Sequence, residues 1–162
     1  MKKRPEVDAG AYDEVLREIR TALQSVNDEI EAHELACHQL YEKFDHYSWV
    51  GIYVIEGDKL VLSAWSGPEE TEHTEIEVGA GICGLAAKTG VTEVVPDVTK
   101  RPEFIACFPS TRSEIVVPIH ASGGQVVGEI DIDSDWLDAF DDRDREFLEA
   151  ISGDLAEIMA RT

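Results

Sequence analysis

Two runs, Ser113-Glu114-Ile115-Val116-Val117-Pro118-Ile119-His120 and Gln125-Val126-Val127-Gly128-Glu129-Ile130-Asp131-Ile132-Asp133-Ser134, stand on either side of Gly123-Gly124. Ile115 to His120 and Gln125 to Ile132 are rich in β-branched residues, and the glycine pair between them is a hairpin signal. Strand side chains alternate between faces, so Asp131 and Asp133 point one way while Ile130 and Ile132 point the other. Glu114 shares a face with Val116. An unpaired buried carboxylate is costly and becomes protonated unless a cation or hydrogen-bond donors meet it. Two readings of these acids follow. In one, Glu114 pairs with Arg112, and Asp131 and Asp133 line the solvent face of an edge strand. In the other, all three form the floor of a pocket for a small cation.

Just upstream lies Phe104-Ile105-Ala106-Cys107, in a segment with Pro102 and Pro109 and little regular pattern. Loops over a sheet are where functional groups concentrate. A thiol brought near three carboxylates suits sulfur chemistry on a cationic ligand better than it suits a core. Arg112 is placed to stabilise that thiolate or to orient a carboxylate; a surface ion pair explains it equally well.

Further out, Trp49 to Ile55 and Lys59 to Trp65 flank Glu56-Gly57-Asp58 and read as another hairpin. Trp49 and Tyr53 share a face of its first strand, as sheet core or as an aromatic wall for a ligand. Gly79-Ala80-Gly81-Ile82-Cys83-Gly84 leads into a short Ala-rich helix ending near Gly90. No Lys or Ser/Thr follows, so a phosphate cradle is not expected. The run places Cys83 at a helix start, where amide dipoles favour a thiolate; a small buried core residue is the alternative. A strand is expected at Val91 to Val95. Before the first hairpin, Leu16, Ile19, Leu23 and Val26 recur at helical spacing in a helix from Tyr12 to Val26. After a break at Asn27-Asp28, Ile30, Cys37, Leu40 and Phe44 form a second stripe reaching about Tyr47, with Cys37 in its core. At the other end Asp141 is a good N-cap for a helix carrying Phe147, Leu148, Ile151, Leu155 and Ile158. The expected architecture is α+β: one domain over residues 1–162, with helices in 1–47, sheet, loops and pocket in 48–134, and a closing helix in 135–162. A mostly antiparallel sheet carries the terminal helices on one face and loops on the other.

With 34 acidic and 14 basic residues, the formal net charge of −20 disfavours nucleic acid and anionic membranes, which call for Lys and Arg. No stretch approaches the ~20 apolar residues of a membrane-spanning helix, and no apolar run follows the basic start Lys2-Lys3-Arg4. Three cysteines, Cys37, Cys83 and Cys107, lack metal-type spacing and suggest reduced thiols in a cytoplasmic protein, with no metal expected. The Lys-poor acidic surface fits a salty, halophilic cytoplasm. Unfolding temperature is therefore expected to rise with potassium chloride, as the Debye length shrinks from ~30 Å at 0.01 M to ~3 Å at 1 M. A flat profile over that range overturns the halophile expectation.

Taken together, Gly81-Ile82-Cys83-Gly84, Val95-Pro96-Asp97-Val98, Ile105-Ala106-Cys107, Ser113 to Pro118 and Asp131-Ile132-Asp133-Ser134 resemble the GAF-domain free methionine-(R)-sulfoxide reductases. The resemblance implies a GAF-like fold, Cys107 as the thiolate attacking the sulfoxide sulfur, and a sulfenic acid intermediate. It implies that Glu114, Asp131 and Asp133 hold the substrate ammonium or supply a proton, and that Trp49 and Tyr53 line the pocket. Cys83 matches the family's second cysteine. No bound cofactor is implied, only an external reductant, either a thioredoxin-like protein or a low-molecular-weight thiol, and the terminal helices suit a homodimer. The chain departs from the pattern twice. No cysteine lies between Ser48 and Ile82, where the family's resolving thiol falls at about His73, and Phe108 replaces the usual Asp after Cys107. A non-catalytic GAF sensor for a small amino-acid-like ligand and a dimerisation module remain the alternatives.

Overall fold

The computed structural model describes residues 4–105 and 108–162. Its elements are α1 (Ala11–Leu23), α2 (Glu29–Lys43), β1 (Trp49–Glu56), β2 (Lys59–Ser66), β3 (Glu75–Glu77), α3 (Gly81–Thr89), β4 (Glu93–Val95), β5 (Ser113–His120), β6 (Val126–Ser134) and α4 (Asp142–Arg161). The strands form one sheet in the order β3-β2-β1-β6-β5-β4, and every neighbouring pair is antiparallel. Both expected hairpins are present, and the α+β arrangement is the one the resemblance implies.

Alternation along the strands separates two cores. Val50 and Ile52 of β1, Ile115 and Val117 of β5, and Ile130 and Ile132 of β6 face α2 and α4, which bring Leu40, Leu148 and Ile151 into the same core, while α1 packs on those two helices and adds Ile19. On the opposite face Tyr53, Leu60 and Val116 pack against Ile82, Cys83 and Ala86 of α3. Cys37 is fully buried on the helical side, as its stripe implied. Among the described residues, no helix is long and apolar enough to cross a membrane.

Several local expectations needed correction. Ile30 is 54% exposed and off the buried stripe; it sits in the first turn of α2, where Asp28 caps the helix by accepting from the Ile30 and Glu31 amides. That helix ends at Lys43 rather than near Tyr47, because Phe44 is extended. The strand expected from Val91 begins at Glu93, leaving Val91 exposed. The polar run before Gly79 contains β3, which pairs Ile76 with Leu60.

Asp144 anchors the helical layer. Asp141 caps α4 in a reciprocal capping box with Asp144. Asp144 Oδ1 also accepts from Tyr12 (2.7 Å), Tyr47 (2.8 Å) and His46 Nε2 (2.7 Å), while Arg4 reaches Oδ2 at 3.0 Å. Burial alone would push this carboxyl up; the hydrogen bonds, led by His46, hold it well below the ordinary carboxylate range. Its depressed folded value means that its contribution is present above about pH 4 and lost as pH falls below that. Asp144→Ala strands three buried donors and is expected to cost about 3–5 kcal/mol, measured as a lowered urea midpoint at neutral pH. An unchanged midpoint removes Asp144 as the anchor.

Candidate functional site

The site is written in the strand register. On the face away from α1, α2 and α4, β6 presents Glu129, Asp131 and Asp133 in succession. On β1 their partners are Tyr53, Gly51 and Trp49 respectively. On β5 they are Pro118, Val116 and Glu114. Because β6 lies between β1 and β5, the acids are not on an edge strand. Asp131 and Glu129 are 0% exposed, Asp133 2% and Glu114 3%. The solvent-face reading of Asp131 and Asp133 is therefore wrong. So is the pairing of Glu114 with Arg112, whose guanidinium turns away to donate to the Pro109 carbonyl at 3.2 Å. Sequence reasoning also missed Glu129, although the alternation that aligned Asp131 with Asp133 extends one step back to it.

These acids have few donors. Thr111 Oγ1 donates to Asp133 Oδ2 over a long 3.4 Å. Among the described residues, neither oxygen of Glu129, neither oxygen of Asp131, nor Oδ1 of Asp133 has a hydrogen-bond partner. Burial raises the carboxyls of Glu114, Glu129 and Asp133 well above their ordinary values, and the charge of Asp131 adds to each. Asp131 is raised by burial as well, offset in part by its neighbours Glu114 and Cys83. A row of acids in this state keeps protons that a cation would displace.

Cys83 stands in the first turn of α3, beneath the row. Its Sγ and one oxygen each of Glu114 and Asp131 lie within 4.8 Å of one another. Of the two readings of Cys83, the small buried residue holds and the thiolate is not favoured there. Burial pushes the Cys83 thiol well up, and Asp131, Glu129 and Glu114 push it further, overriding the helix amides. Cys107 lies outside the described residues. The chain on either side of it packs at the two ends of the row. Ile105 lies over Gly81, whose backbone has φ +66°, and an added Cβ there would come within 2.7 Å of the isoleucine side chain. Ile105, Cys83 and Glu114 line one small cavity of about 10 Å³. Phe108 lies beside Trp49, with ring centroids 5.7 Å apart and the planes tilted by 50°. Both rings line a second cavity of about 40 Å³ with Thr111 and Asp133.

Trp49 and Tyr53 do share the pocket face. The indole lies against Gly51, where a Cβ would come within 2.3 Å of the ring, so only glycine fits opposite Asp131. Both aromatics hold the covering loop by its backbone: Trp49 Nε1 donates to the Glu69 carbonyl at 3.2 Å, and Tyr53 Oη to the His73 carbonyl at 2.8 Å. His73 thus contributes its main chain to the cover.

The chain is similar to several known proteins. Residues 26–160 match the GAF domain family. GAF domain-containing protein A of Dictyostelium discoideum is 37% identical over 141 residues, covering 86% of this chain and 87% of its own. The free methionine-R-sulfoxide reductase of Saccharomyces cerevisiae is 43% identical over 108 residues, covering 65% of this chain and 59% of its own. Among solved structures, free methionine-R-sulfoxide reductase from Neisseria meningitidis, in complex with its substrate, superposes with a TM-score of 0.89 at 34% identity. That match covers 99% of this chain and 96% of the other.

Proposed function

Because the chain belongs to the GAF domain family, whose fold by itself specifies no ligand, the function has to be argued from the site, and we propose that it reduces free L-methionine-(R)-S-oxide to L-methionine. The observation that carries this reading is the buried row Glu114, Glu129, Asp131 and Asp133, which lacks a cationic partner among the described residues. An α-ammonium supplies the missing charge, and a carboxyl that retains its proton supplies the acid that sulfoxide reduction needs. The likeness to the Neisseria reductase over nearly the whole chain supports the same reading.

In the proposed reaction the Cys107 thiolate attacks the sulfoxide sulfur while Glu114, or the acid pair it shares with Asp131, protonates the sulfoxide oxygen. The sulfur–oxygen bond breaks and the oxygen passes to Cys107. Sulfoxide, thiolate and one proton thereby become methionine and a cysteine sulfenic acid. Trp49 and Phe108 enclose the methyl group, and Asp131 and Asp133 hold the ammonium. The Cys83 thiol then attacks the sulfenic acid, forming a disulfide and releasing water. An external dithiol, thioredoxin-like or of low molecular weight, reduces that disulfide.

The test is methionine formation from the separated sulfoxide epimers with excess dithiothreitol, followed by peptide mapping after one equivalent of substrate without reductant. Consumption of the R epimer alone, with a Cys83–Cys107 disulfide, is the expected outcome. No methionine from either epimer overturns the reductase reading. A sulfenic acid trapped on Cys107 while Cys83 remains alkylatable overturns the internal recycling step and assigns that step to an external thiol.

A further inference from the structure

We infer that Cys83, Glu114 and Asp131 form a binding site for a single zinc ion, with Glu129 and Asp133 beside it as reserve oxygen ligands. Three elements supply the primary set: α3 brings the thiol, β5 one carboxylate and β6 the other. Their ligand atoms already lie within 4.8 Å of one another. Around a tetrahedral zinc, with bonds of about 2.0–2.3 Å, ligand atoms stand roughly 3.5 Å apart, so the three need to draw together by only about 1 Å. Dispersal over three elements also explains why the spacing of the cysteines carries no metal signature.

An acidic cluster alone would be weak ground, since exposed acids gather without binding anything. Here the acids are buried. Glu129, 0% exposed and on the same face as Asp131, has both oxygens without a hydrogen-bond partner among the described residues, and so does Asp131. The cavity of about 10 Å³ against Cys83 and Glu114 is close to the size of one small ion or water. Ligand type selects the metal. A set of oxygens alone suits magnesium or calcium, whereas a thiolate with two carboxylates suits a borderline-soft ion and leaves a fourth position open. Such an ion neutralises the same charges that we assign to the substrate ammonium. The site as drawn does not depend on the reductase reading.

The experiment uses reduced, metal-free full-length protein, titrated with cobalt(II) as a spectroscopic stand-in and then with zinc. Millimolar magnesium is present throughout to occupy surface carboxylates. The expected result is uptake of one equivalent, with a thiolate-to-cobalt absorption band that zinc abolishes. Cys83→Ser should remove the band, and Asp131→Asn, which alters a direct ligand, should weaken zinc binding by at least about 10–100-fold, the range for losing a mere outer-shell partner. Cys37→Ser should change neither. A band that survives Cys83→Ser, or zinc affinity indifferent to Asp131→Asn, overturns the site. If the protein reduces the sulfoxide but takes up no zinc, this inference alone falls; if it takes up zinc but reduces nothing, the reductase reading falls.

Discussion

Cys107→Ser is expected to abolish methionine formation from the R-sulfoxide, lowering kcat/KM by at least about 10³-fold while the far-ultraviolet spectrum and urea midpoint stay at wild-type values. A hydroxyl is a poor nucleophile toward a sulfoxide sulfur and cannot become a sulfenic acid, so no alternative route through residue 107 remains. Cys37→Ser gives the contrast. Cys37 is fully buried in the helical core, away from the carboxylate row. Its replacement should leave turnover per folded molecule unchanged and cost about 1–3 kcal/mol of stability, because a hydroxyl enters a dry site. Equal turnover by Cys107→Ser and wild type, measured with the resolved epimer, ends the assignment of Cys107 as nucleophile.

Asp131→Asn is expected to move activity and stability in opposite directions. Asp131 is the neighbour whose charge raises Glu114, Glu129 and Asp133 together. Removing its charge weakens ammonium binding and disturbs the proton supply, for an expected loss of about 10²–10⁴-fold in kcat/KM. Stability should rise at neutral pH. Asp131 has a folded-state pKa above its unfolded one, so the folded state holds the proton more tightly. The stability tied to that proton is complete below about pH 4 and is lost as pH climbs toward the folded value. The wild-type unfolding temperature should therefore fall from mildly acidic to neutral pH more steeply than that of Asp131→Asn, and the two should converge near pH 4. Asp144 works in the opposite sense below that point in both proteins. A variant as active as wild type, or less stable at neutral pH, contradicts this account of the row.

The two hairpins, the cap at Asp141 and the shared face of Asp131 and Asp133 were legible because each rests on local chemistry: turn glycines, a capping carboxylate, side-chain alternation. The burial of those acids was not. Whether a strand is central or at an edge depends on β1 pairing with β6 across about half the chain, and no local pattern reports that. Asp144 was illegible for a related reason. Within Asp141-Asp142-Arg143-Asp144-Arg145 it looks like one more solvated charge, and only Tyr12, His46 and Tyr47, brought from distant segments, reveal it as buried. Short β3 was hidden by its polar composition, since its pairing with β2 rather than its residue types makes it a strand. Glu129 was within reach, because extending the alternation by a single step finds it. The thiol of Cys83 shows where a local rule yields to its surroundings: the amides of one helix turn act against three buried acids and lose.

Strand β6 carries a consequence for assembly of the sheet. Its Ile130 and Ile132 belong to the helical core, while Glu129, Asp131 and Asp133 occupy the opposite side. A slip of one residue in its pairing would swap the two sets, pressing three carboxylates into the layer of Ile115, Val117 and Leu148. Such a mispaired sheet would have to bury each charge without even the vicinity of Thr111 or an entering cation, so it is strongly disfavoured as a folding trap. The acids assigned to ligand binding therefore also act as a key that admits one alignment of the central strand. Making all of them apolar would ease the native pocket, yet it would leave a continuous β-rich run able to pair in more than one frame, with misassembly as the penalty.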